Sequence, residues 1–431
     1  MGGGFTPVVS AQNLPRCGNT AFFQQIAQYD PAFAAQREQG LAQDQQRILQ
    51  MGENTAQKGT AQNPIPVVFH VLLSALEYQQ LGRDTGVIRR VNSQLAVLNA
   101  DYTATNTDLY KVPAPFQSRI GASGLQFRRA SGTSAQTIAP GIEVKITNKI
   151  FDYNSAFADA KRTSQGGLDG WDPSRQLNIW VLSTSGTILG LAIPPSVVGA
   201  SFPGGTITTA DLGVVVSHSA FGRRYFPAQY FFPGTNDQGR TLTHEIGHYF
   251  ELEHVFGNDP SCTSDDGIAD TPPQSEPTYS QPGAPVFPKY DACSPAGNGI
   301  MFMNYMDYVD DAEMMLFTKQ QVARMQFYTS PGQASYSLTQ QPLSVAQLEP
   351  ANELVSVAPN PSSGIFLLQN KSTEVLTDIA VLDMSGRTVS RLADLSEQGS
   401  QSVNLSGLSR GFYFLKMKRA HQTFTLKVVL Q

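Results

Sequence analysis

The sequence predicts an α/β domain followed by a small antiparallel β-sandwich, with a short segment in front of both. Between residues 61 and 330, strand-like apolar runs alternate with amphipathic helical stretches. After residue 353 the pattern changes to short alternating strands separated by turn residues, which is typical of a sandwich. We therefore divide the 431 residues into 1–60, 61–330, a polar linker at 331–352, and 353–431.

Composition and charge exclude several classes of protein. Hydrophobic residues make up 41% of the chain, so a large core is available. The formal net charge is −5, which gives no reason to expect nucleic acid as a partner. No apolar run approaches the roughly 18 residues of a transmembrane helix. Val9-Ser10-Ala11 resembles a signal-peptide cleavage site, so we expect a signal peptide that is truncated or absent in this chain.

Hydrophobic periodicity places the elements of the α/β domain and of the segment before it. Residues 20–50 predict one helix, residues 65–73 a strand, and residues 85–101 an amphipathic helix. Further strands are predicted at 125–129, 141–147, 176–183 and 212–217, a helix from about Asp237, irregular chain at 260–298, and a last helix at 319–328 with Thr318 as its N-cap. The sandwich strands are predicted at 354–357, 364–369, 375–382, 388–392, 411–417 and 422–429.

Half of the six histidines lie between residues 244 and 254. His244 and His248 are four residues apart, so on a helix they lie on one face and can bind one metal ion. Glu245 beside them is placed to take a proton from a metal-bound water. His254 would be the third ligand and would leave one position open. Glu276 is the alternative third ligand, but it lies in a Pro-rich loop rather than on a second helix.

The three cysteines contain no CxxC pair, which argues against a zinc ribbon or a thioredoxin-type motif. Cys262 and Cys293 lie in one Pro-, Ser- and Gly-rich segment that would gain stability from a disulfide, and a disulfide indicates an oxidising compartment. Two inert thiols are the alternative. Cys17 is left over and needs a separate explanation.

The stretch His244–His254 resembles the long zinc motif HExxHxxGxxH of the metzincin metalloproteases. Asn304-Tyr305-Met306-Asp307-Tyr308 is similar to the methionine turn of those enzymes. Over residues 65–328 the chain resembles the pappalysin family and its ulilysin-like bacterial members, through the strings at 239–243 and 266–272 and the methionine turn. The resemblance implies a metzincin catalytic domain with a mixed sheet and an active-site helix.

The resemblance also implies roles for the residues around the motif. Zinc would be the catalytic metal, with Glu245 as the general base and later the acid to the leaving amine. Met306 would form an apolar floor under the three imidazoles. Tyr308 would stabilise the oxyanion. Asp311 would lie at the base of the specificity pocket and pair with an Arg or Lys after the cleaved bond, although a solvated carboxylate is the alternative.

Two further ion sites follow from the same resemblance. Asp266, the carbonyl of Ile268 and Thr271 would bind Ca²⁺, although a polar turn without a cation is the alternative. Arg16-Cys17-Gly18 resembles a cysteine switch, so residues 1–60 would be a pro-segment whose Cys17 thiolate fills the open zinc position in the latent form.

One residue departs from the family pattern. Glu251 stands where the family usually has Gly or Asn in a left-handed conformation, which costs another residue about 1–2 kcal/mol. The geometry of the third ligand is therefore the most exposed part of the prediction.

The last 80 or so residues resemble the sorting domain of type IX secretion substrates in Bacteroidetes, through 358–364, 383–387 and 408–413. This implies partnership with that secretion machinery and export through the periplasm, followed by release or attachment at the cell surface. A generic binding sandwich is the alternative. Taken together, the sequence predicts the zymogen of a secreted zinc endopeptidase acting on protein or peptide substrates. The alternative is a surface adhesin on an inactive protease scaffold, with Glu251 as the damaging residue.

Overall fold

The computed structural model of the chain describes residues 16–51, 63–184, 187–223, 235–257, 262, 265–280, 283–341, 354–372, 374–383, 387–419 and 422–431. The chain divides into two compact units, Met1–Pro342 and Leu343–Gln431. The signal-peptide-like pattern at 9–11 lies outside the described residues.

Along the chain, the helices of the first unit precede its strands, lie between them and follow them. They are α1 (Asn19–Tyr29), α2 (Pro31–Met51), α3 (Ala75–Gln80), α4 (Arg83–Tyr102), α5 (Ala114–Gln117), α6 (Arg240–Tyr249) and α7 (Lys319–Tyr328). Its strands are β1 (Ile65–Leu73), β2 (Phe127–Arg129), β3 (Thr137–Ala139), β4 (Ile142–Ile146), β5 (Leu177–Leu182), β6 (Gly190–Ile193), β7 (Ser201–Phe202), β8 (Gly205–Thr206) and β9 (Gly213–Ser217). The α/β class is confirmed, and Thr318 caps α7 by accepting a hydrogen bond from the backbone N–H of Gln321.

The main sheet has the strand order β3-β4-β1-β5-β9-β6, with β2 also paired to β1. Strand β1 pairs in parallel with β4 and β5, and β5 pairs in parallel with β9. Strand β6 is antiparallel to β9 and lies at the edge. The sheet is therefore mixed, as the resemblance implied, and the edge strand β6 has one side free for another extended chain.

Strand β1 is apolar except for His70, whose ring is hydrogen-bonded to Glu143 and Asn178, because both faces of the sheet are covered. All nine of its residues are buried. Val67, Phe69 and Val71 pack in the core that also contains Leu242 and Ile246 of α6. Leu72 points to the other side, into a second apolar cluster. This two-sided burial explains the continuous apolar run, and it holds α6 against one face of the sheet.

Two expectations about the elements are wrong. The single helix expected at 20–50 is two helices, because the ring of Pro31 disfavours helical backbone at the residue before it, and Asp30 has a φ of −142°. The expected linker begins too early: residues 331–341 include a 3-10 helix, Tyr336–Gln340, and Leu338 is buried in the main core. Strands β3 and β6 were not predicted, since each is only a few residues long.

Helix α6 begins after Gly239, which has a φ of 80° that only glycine adopts easily. Arg240, its first residue, is buried, and its guanidinium donates to Asp108 at 2.6 and 2.8 Å. It also donates to the carbonyl of Asp311 at 2.9 Å. These bonds tie the start of α6 to two loops on either side of it.

The second unit consists of two antiparallel sheets. The strands are β10 (Val355–Ala358), β11 (Ile365–Asn370), β12 (Leu376–Leu382), β13 (Thr388–Arg391), β14 (Ser400–Asn404), β15 (Gly411–Arg419) and β16 (Gln422–Leu430). Their orders are β10-β11-β14 and β13-β12-β15-β16. One apolar core that includes Val355, Phe366, Leu376 and Leu415 joins the sheets, so the antiparallel sandwich is confirmed. The polar strand β14 was missed.

None of the helices in the described part of the chain combines the length and the apolarity that crossing a membrane requires.

Arg240 provides a test of how α6 is anchored. Replacing one partner of a buried ion pair leaves the other charge uncompensated, so we expect Arg240→Met to lower the free energy of unfolding of the first unit by about 3–5 kcal/mol. Arg47→Met is the matched control, because the Arg47 side chain is 64% exposed, and its effect should stay within about 0.5 kcal/mol. Urea unfolding of both variants measures the difference, and equal effects would contradict the anchoring role of Arg240.

Candidate metal centre and cleft

Three histidines converge at the end of α6. His244 and His248 stand one turn apart on this fully buried helix, and the chain then turns back to bring in His254. Their Nε2 atoms are separated by 3.0, 3.1 and 3.2 Å. Three nitrogen ligands at about 2.0–2.1 Å from one tetrahedral zinc ion would be about 3.3–3.4 Å apart, so this spacing suits zinc.

Hydrogen bonds on the far side of the rings define the tautomers. His244 Nδ1 lies 2.7 Å from the carbonyl oxygen of Tyr305, and His248 Nδ1 lies 2.7 Å from that of Leu252. A carbonyl only accepts, so each Nδ1 carries the proton and each Nε2 keeps its lone pair. Burial lowers the pKa of His244 to about 4, so this ring is neutral at pH 7. Converging lone pairs repel unless a cation lies between them, and the donor set therefore fits a zinc ion.

The turn at Glu251 brings in the third histidine. Glu251 has a φ of 65°, the left-handed conformation that the family's Gly or Asn would adopt. Its backbone N–H donates to the carbonyl of His248 at 3.0 Å and ends the helix. Glu251 therefore adopts the required backbone conformation, and His254 reaches the other two imidazoles.

Cys17 lies beside the three histidines, where a fourth metal ligand would be. Among the residues the structure describes, the Cys17 sulfur and the ring nitrogens of the three histidines all fall within 4.8 Å of one another. The sulfur is 3.6 Å from Glu245 Oε2. Burial, and then the nearby Glu245, raise the pKa of the Cys17 thiol well above its usual value. A thiolate in this position thus requires a neighbouring cation.

Glu245 is buried beside the histidines, and burial raises its pKa to about 8. Its Oε1 has no hydrogen-bond partner within the described ranges. Strand β6 leaves room for it only because residue 190 is glycine: a Cβ there would lie 2.4 Å from Oε1. Gly190 therefore positions the carboxylate that faces the metal site, and sequence analysis did not identify it.

The methionine turn lies directly under the histidines. Met306 is fully buried, and a Cβ at Gly247 would lie 2.6 Å from its sulfur, so the thioether packs against the turn of α6 between His244 and His248. The preceding residue, Tyr305, provides the carbonyl that orients His244.

Tyr308 closes the site on the side of His254. Its ring packs edge-on to the His254 imidazole, with ring centroids 5.0 Å apart. Its hydroxyl donates to the carbonyl oxygen of Cys17 at 3.3 Å. Burial raises the pKa of Tyr308 well above its usual value, so the phenol stays protonated. It can therefore donate a hydrogen bond to an oxygen next to the metal site.

An N-terminal stretch occupies the cleft by pairing with the free edge of β6. The pairing is parallel at Cys17 and Gly190, and it includes bonds from Gly18 N–H to the Gly190 carbonyl at 2.9 Å and from Leu189 N–H to the Arg16 carbonyl at 2.6 Å. The chain then enters α1, and the Asn19 side chain continues the hydrogen bonding with β6 in place of the backbone. Its amide makes two bonds of 2.9 Å with the backbone of Ala192.

The two acidic residues after the methionine turn face different partners. The Asp311 carboxylate accepts hydrogen bonds from the backbone N–H groups of Gln238 and Arg240, at 2.8 and 3.1 Å. The neighbouring Asp310 carboxylate lies 2.7 Å from the guanidinium of Arg16. Asn236 also accepts from that guanidinium, at 3.1 Å. The basic group that is present in the cleft therefore contacts Asp310, while the Asp311 carboxylate is turned toward the start of α6.

The residues expected to bind calcium lie together in a buried loop. The Thr271 hydroxyl is 2.8 and 3.0 Å from the two carboxylate oxygens of Asp266, and 2.7 Å from the carbonyl of Ile268. Burial raises the pKa of Asp266 to about 8. The Arg324 guanidinium donates to the backbone carbonyl of Asp266 rather than to the carboxylate. A buried carboxylate with oxygen ligands around it fits a hard cation.

Cys262 and Cys293 form the predicted disulfide, with Cα atoms 5.4 Å apart. Glu276 does not belong to the metal-ligand group found among the described residues.

The sequence pointed to Arg16 only as part of the switch motif, and it indicated no role for Asn19, Gly190 or Asp310. Arg16 pairs with Asp310, Asn19 binds the backbone of β6, and Gly190 lies against Glu245. Tyr153 also belongs to this group, since its hydroxyl donates to the carbonyl of Gly18 at 2.5 Å. Only Arg16 carried a usable signal, because a basic residue directly before the switch cysteine invites a search for an acidic partner.

Two parts of the chain match known families. Residues 167–329 match the sequence profile of a peptidase family, M43, described as pregnancy-associated plasma protein-A. Residues 356–431 match that of a secretion system C-terminal sorting domain.

Solved structures and curated proteins resemble the first unit. Tannerella forsythia promirolysin, in a mutant form, is 30% identical with a TM-score of 0.63, covering 76% of this chain and 97% of that one. Mature mirolysin in complex with a cleaved peptide is 33% identical with a TM-score of 0.57, covering 65% and 97%. An extracellular metalloprotease of Uncinocarpus reesii is 36% identical over 240 residues, 54% of this chain and 65% of that protein. In the extracellular metalloprotease of Arthroderma otae, 44% identical, the match covers only 31% of that protein's length.

The third ligand can be tested by removing either of the two residues considered for it. We expect His254→Ala to lose bound zinc after dialysis, because two imidazoles alone leave the site short of a ligand. Glu276→Ala is the matched control and should keep one zinc per chain. Elemental analysis measures both, and a His254→Ala protein with full zinc would contradict the three-histidine site.

Proposed function

The chain belongs to the pappalysin family of metallopeptidases, and on this basis we propose that it is the latent form of a secreted zinc endopeptidase acting on protein or peptide substrates. One observation supports this most strongly: three neutral imidazoles converge beside a buried glutamate, at a strand edge that already holds an extended peptide. Residues 1–60 are the pro-segment in this proposal, and the structure describes residues 16–51 of it.

The proposed chemistry is peptide-bond hydrolysis. A zinc ion held by His244, His248 and His254 would supply a Lewis acid to polarise the scissile carbonyl and activate water. Glu245 takes the proton from the attacking water and later gives it to the leaving amine, a role for which the charge of a bound zinc ion would keep the buried carboxyl ionised. Tyr308 donates a hydrogen bond to the oxygen on which negative charge develops; in this structure its hydroxyl donates to the carbonyl oxygen of Cys17.

The edge of β6 is the proposed substrate-binding strand. The pro-segment runs parallel to β6 at Cys17. In this proposal a substrate pairs with the same edge in the antiparallel direction. The pro-segment therefore runs opposite to a substrate in the cleft and is not cleaved there. The residue on the carboxyl side of the broken bond would then lie where Arg16 lies.

This geometry supports a preference for Arg or Lys after the scissile bond, with Asp310 rather than Asp311 making direct contact. The Arg16 guanidinium is the basic group at that position, 2.7 Å from Asp310. Asp311 would support the pocket from behind, because its carboxylate is bonded to the backbone of Gln238 and Arg240.

Latency is proposed to come from the Cys17 thiolate, which would fill the fourth zinc position and exclude water. Its approach to the histidine group and the strand pairing around it support this role. Calcium bound by Asp266, Ile268 and Thr271 is proposed to stabilise the loop after the third ligand.

The second unit is the proposed export signal, and the type IX secretion machinery its partner, because residues 356–431 match a secretion system sorting domain. Secretion or attachment at the cell surface follows from this, and it agrees with the disulfide, which indicates an oxidising compartment.

The enzymatic function is tested on protein from which the pro-segment has been removed. We expect one zinc per chain and cleavage of a casein or peptide-library substrate, with Glu245→Gln keeping the zinc and losing at least about 10³-fold in kcat/KM because no base remains. Zinc binding without cleavage in the parent protein would favour the adhesin on an inactive scaffold.

Latency is tested by Cys17→Ala in the full chain. We expect the unprocessed variant to cleave substrate, or to process itself faster than the parent, because the fourth position is then open to water. Cys17→Ser should lie between them. A Cys17→Ala protein as inactive as the parent would show that the pro-segment blocks the cleft without the thiolate.

Selectivity is tested by comparing Asp310→Asn with Asp311→Asn in the processed enzyme. We expect Asp310→Asn to lower kcat/KM about 10- to 100-fold for peptides with Arg after the cleaved bond, since a charge-assisted pair is lost. Peptides with Leu at that position should be little affected. Asp311→Asn should change the melting temperature more than the selectivity. The reverse pattern would return the direct contact to Asp311.

A further inference from the structure

A buried ion pair joins the pro-segment to the turn that carries the third histidine. Arg37, on α2, donates from Nη2 to Glu251 Oε2 at 2.9 Å across 214 residues of sequence. The two side chains are 9% and 3% exposed. Glu251 is the residue that departs from the family pattern, so a carboxylate stands here where Gly or Asn would offer no charge.

The Arg37 guanidinium is surrounded on several sides. Its Nε donates to the Ser196 hydroxyl at 3.1 Å, and its Nη1 lies 3.9 Å from Glu253 Oε1. Its plane lies over the Phe23 ring, 4.1 Å from the ring centroid. Two carboxylates, a hydroxyl and an aromatic face are the groups that recognise a guanidinium. The guanidinium of Arg324 does not bind these carboxylates, because it donates to Gln45 and to the backbone carbonyl of Asp266.

Helix α2 depends on this pair because it buries little apolar surface. Of its 21 residues, Ile48 is the buried one. Phe33 and Ala34 pack, partly buried, against the second apolar cluster. Other attachments of α2 to the body of the unit are polar, such as Asp44 with the Tyr328 hydroxyl at 3.1 Å. Next to Arg37, between α2 and residues 195–198 and 333–335, lies a cavity of about 380 Å³, so the helix does not pack closely there. Arg37 is therefore a charged attachment point of α2 that is largely removed from solvent.

We propose that Glu251, Glu253 and Ser196 form a guanidinium-binding site, here termed the Arg37 pocket, and that its occupation by Arg37 keeps the pro-segment seated independently of Cys17. The proposal rests on the proposed role of residues 16–51 as a pro-segment. It gives the zymogen two attachments: a thiol at the metal site, and a guanidinium on the turn that carries His254.

The pocket also couples the pro-segment to the third ligand. While Arg37 is bound, the carboxylates of Glu251 and Glu253 share its charge on the turn before His254. Removing one partner of a buried ion pair leaves the other charge uncompensated, whereas exchanging both charges can preserve the pair. Loss of Arg37 should therefore loosen the pro-segment, and a charge exchange should restore it.

The test measures how often the pro-segment leaves the cleft, through the reactivity of Cys17. This is the one free thiol of the chain, because Cys262 and Cys293 are joined. All variants are made in the zinc-loaded full chain carrying Glu245→Gln, which prevents self-processing. The rate of Cys17 alkylation by iodoacetamide is followed by mass spectrometry. We expect Arg37→Met to raise this rate about tenfold or more, by the energetics of a broken buried pair.

Arg47→Met is the matched control, because Arg47 lies on the same helix and is bonded only within it, to Asp44 among the described residues. It should leave the rate unchanged. Glu251→Gln should raise the rate as Arg37→Met does, and the double variant Arg37→Glu with Glu251→Arg should bring it back toward the parent value. Equal rates for Arg37→Met and Arg47→Met would overturn the proposal, and so would a double variant that alkylates faster than either single variant.

A chemical probe identifies the ligand class directly. In Arg37→Ala, millimolar methylguanidinium chloride should slow alkylation, while potassium chloride at the same ionic strength should not. Equal effects of the two salts would overturn the assignment of a guanidinium site. The zinc content of each variant is measured in parallel and reports on the metal site alone, so failure of the proposed enzymatic function would be seen separately.

Discussion

The convergence of three imidazole rings on one point is the constraint on which the rest of the first unit depends. The Nε2 atoms of His244, His248 and His254 face one another at 3.0–3.2 Å, an arrangement that is unfavourable without a cation between them. Around it, α6 is buried on every side, the methionine turn packs under the helix, and Glu251 takes a left-handed backbone conformation. Backbone strain and buried polar groups are thus concentrated at one place, as they commonly are at functional sites.

The edge strand β6 connects this centre to the chain that fills the cleft. Gly190 leaves space for Glu245, while the free edge of the same strand pairs with Cys17 and accepts the Asn19 amide at Ala192. A substrate would need the same backbone groups. In the proposed zymogen, latency and substrate binding would therefore compete for one set of hydrogen bonds. The apolar side chains of Phe22 and Ile26, buried in the second apolar cluster, add to the attachment of this segment.

Two arginines of the proposed pro-segment contact two separate acidic regions. Arg16 contacts Asp310 on one side of the metal site, and Arg37 contacts Glu251 on the other. Both guanidinium groups are largely removed from solvent, where an ion pair with both partners present is tolerated and one with a missing partner is costly. Under the proposal above, Glu251 is a contact for the pro-segment, and its backbone still adopts the left-handed conformation that the turn requires.

The sequence by itself determined the α/β class, the strand β1, the spacing of the candidate metal ligands and the sandwich, because each follows from periodicity or from residues close together in the chain, and it favoured the disulfide. The ligand pattern His244-Glu245-His248 is readable on one helix, and an apolar run such as 65–73 predicts burial wherever it packs. Only the tertiary structure decided which of Asp310 and Asp311 faces the cleft, because adjacent residues differ in direction and not in chemistry. It also decided the partners of Arg37 and Gly190, since contacts across 214 residues, or a space that a Cβ would fill, leave no local pattern. Strand β6 belongs with these: four residues predict no strand until a neighbouring strand supplies its hydrogen bonds.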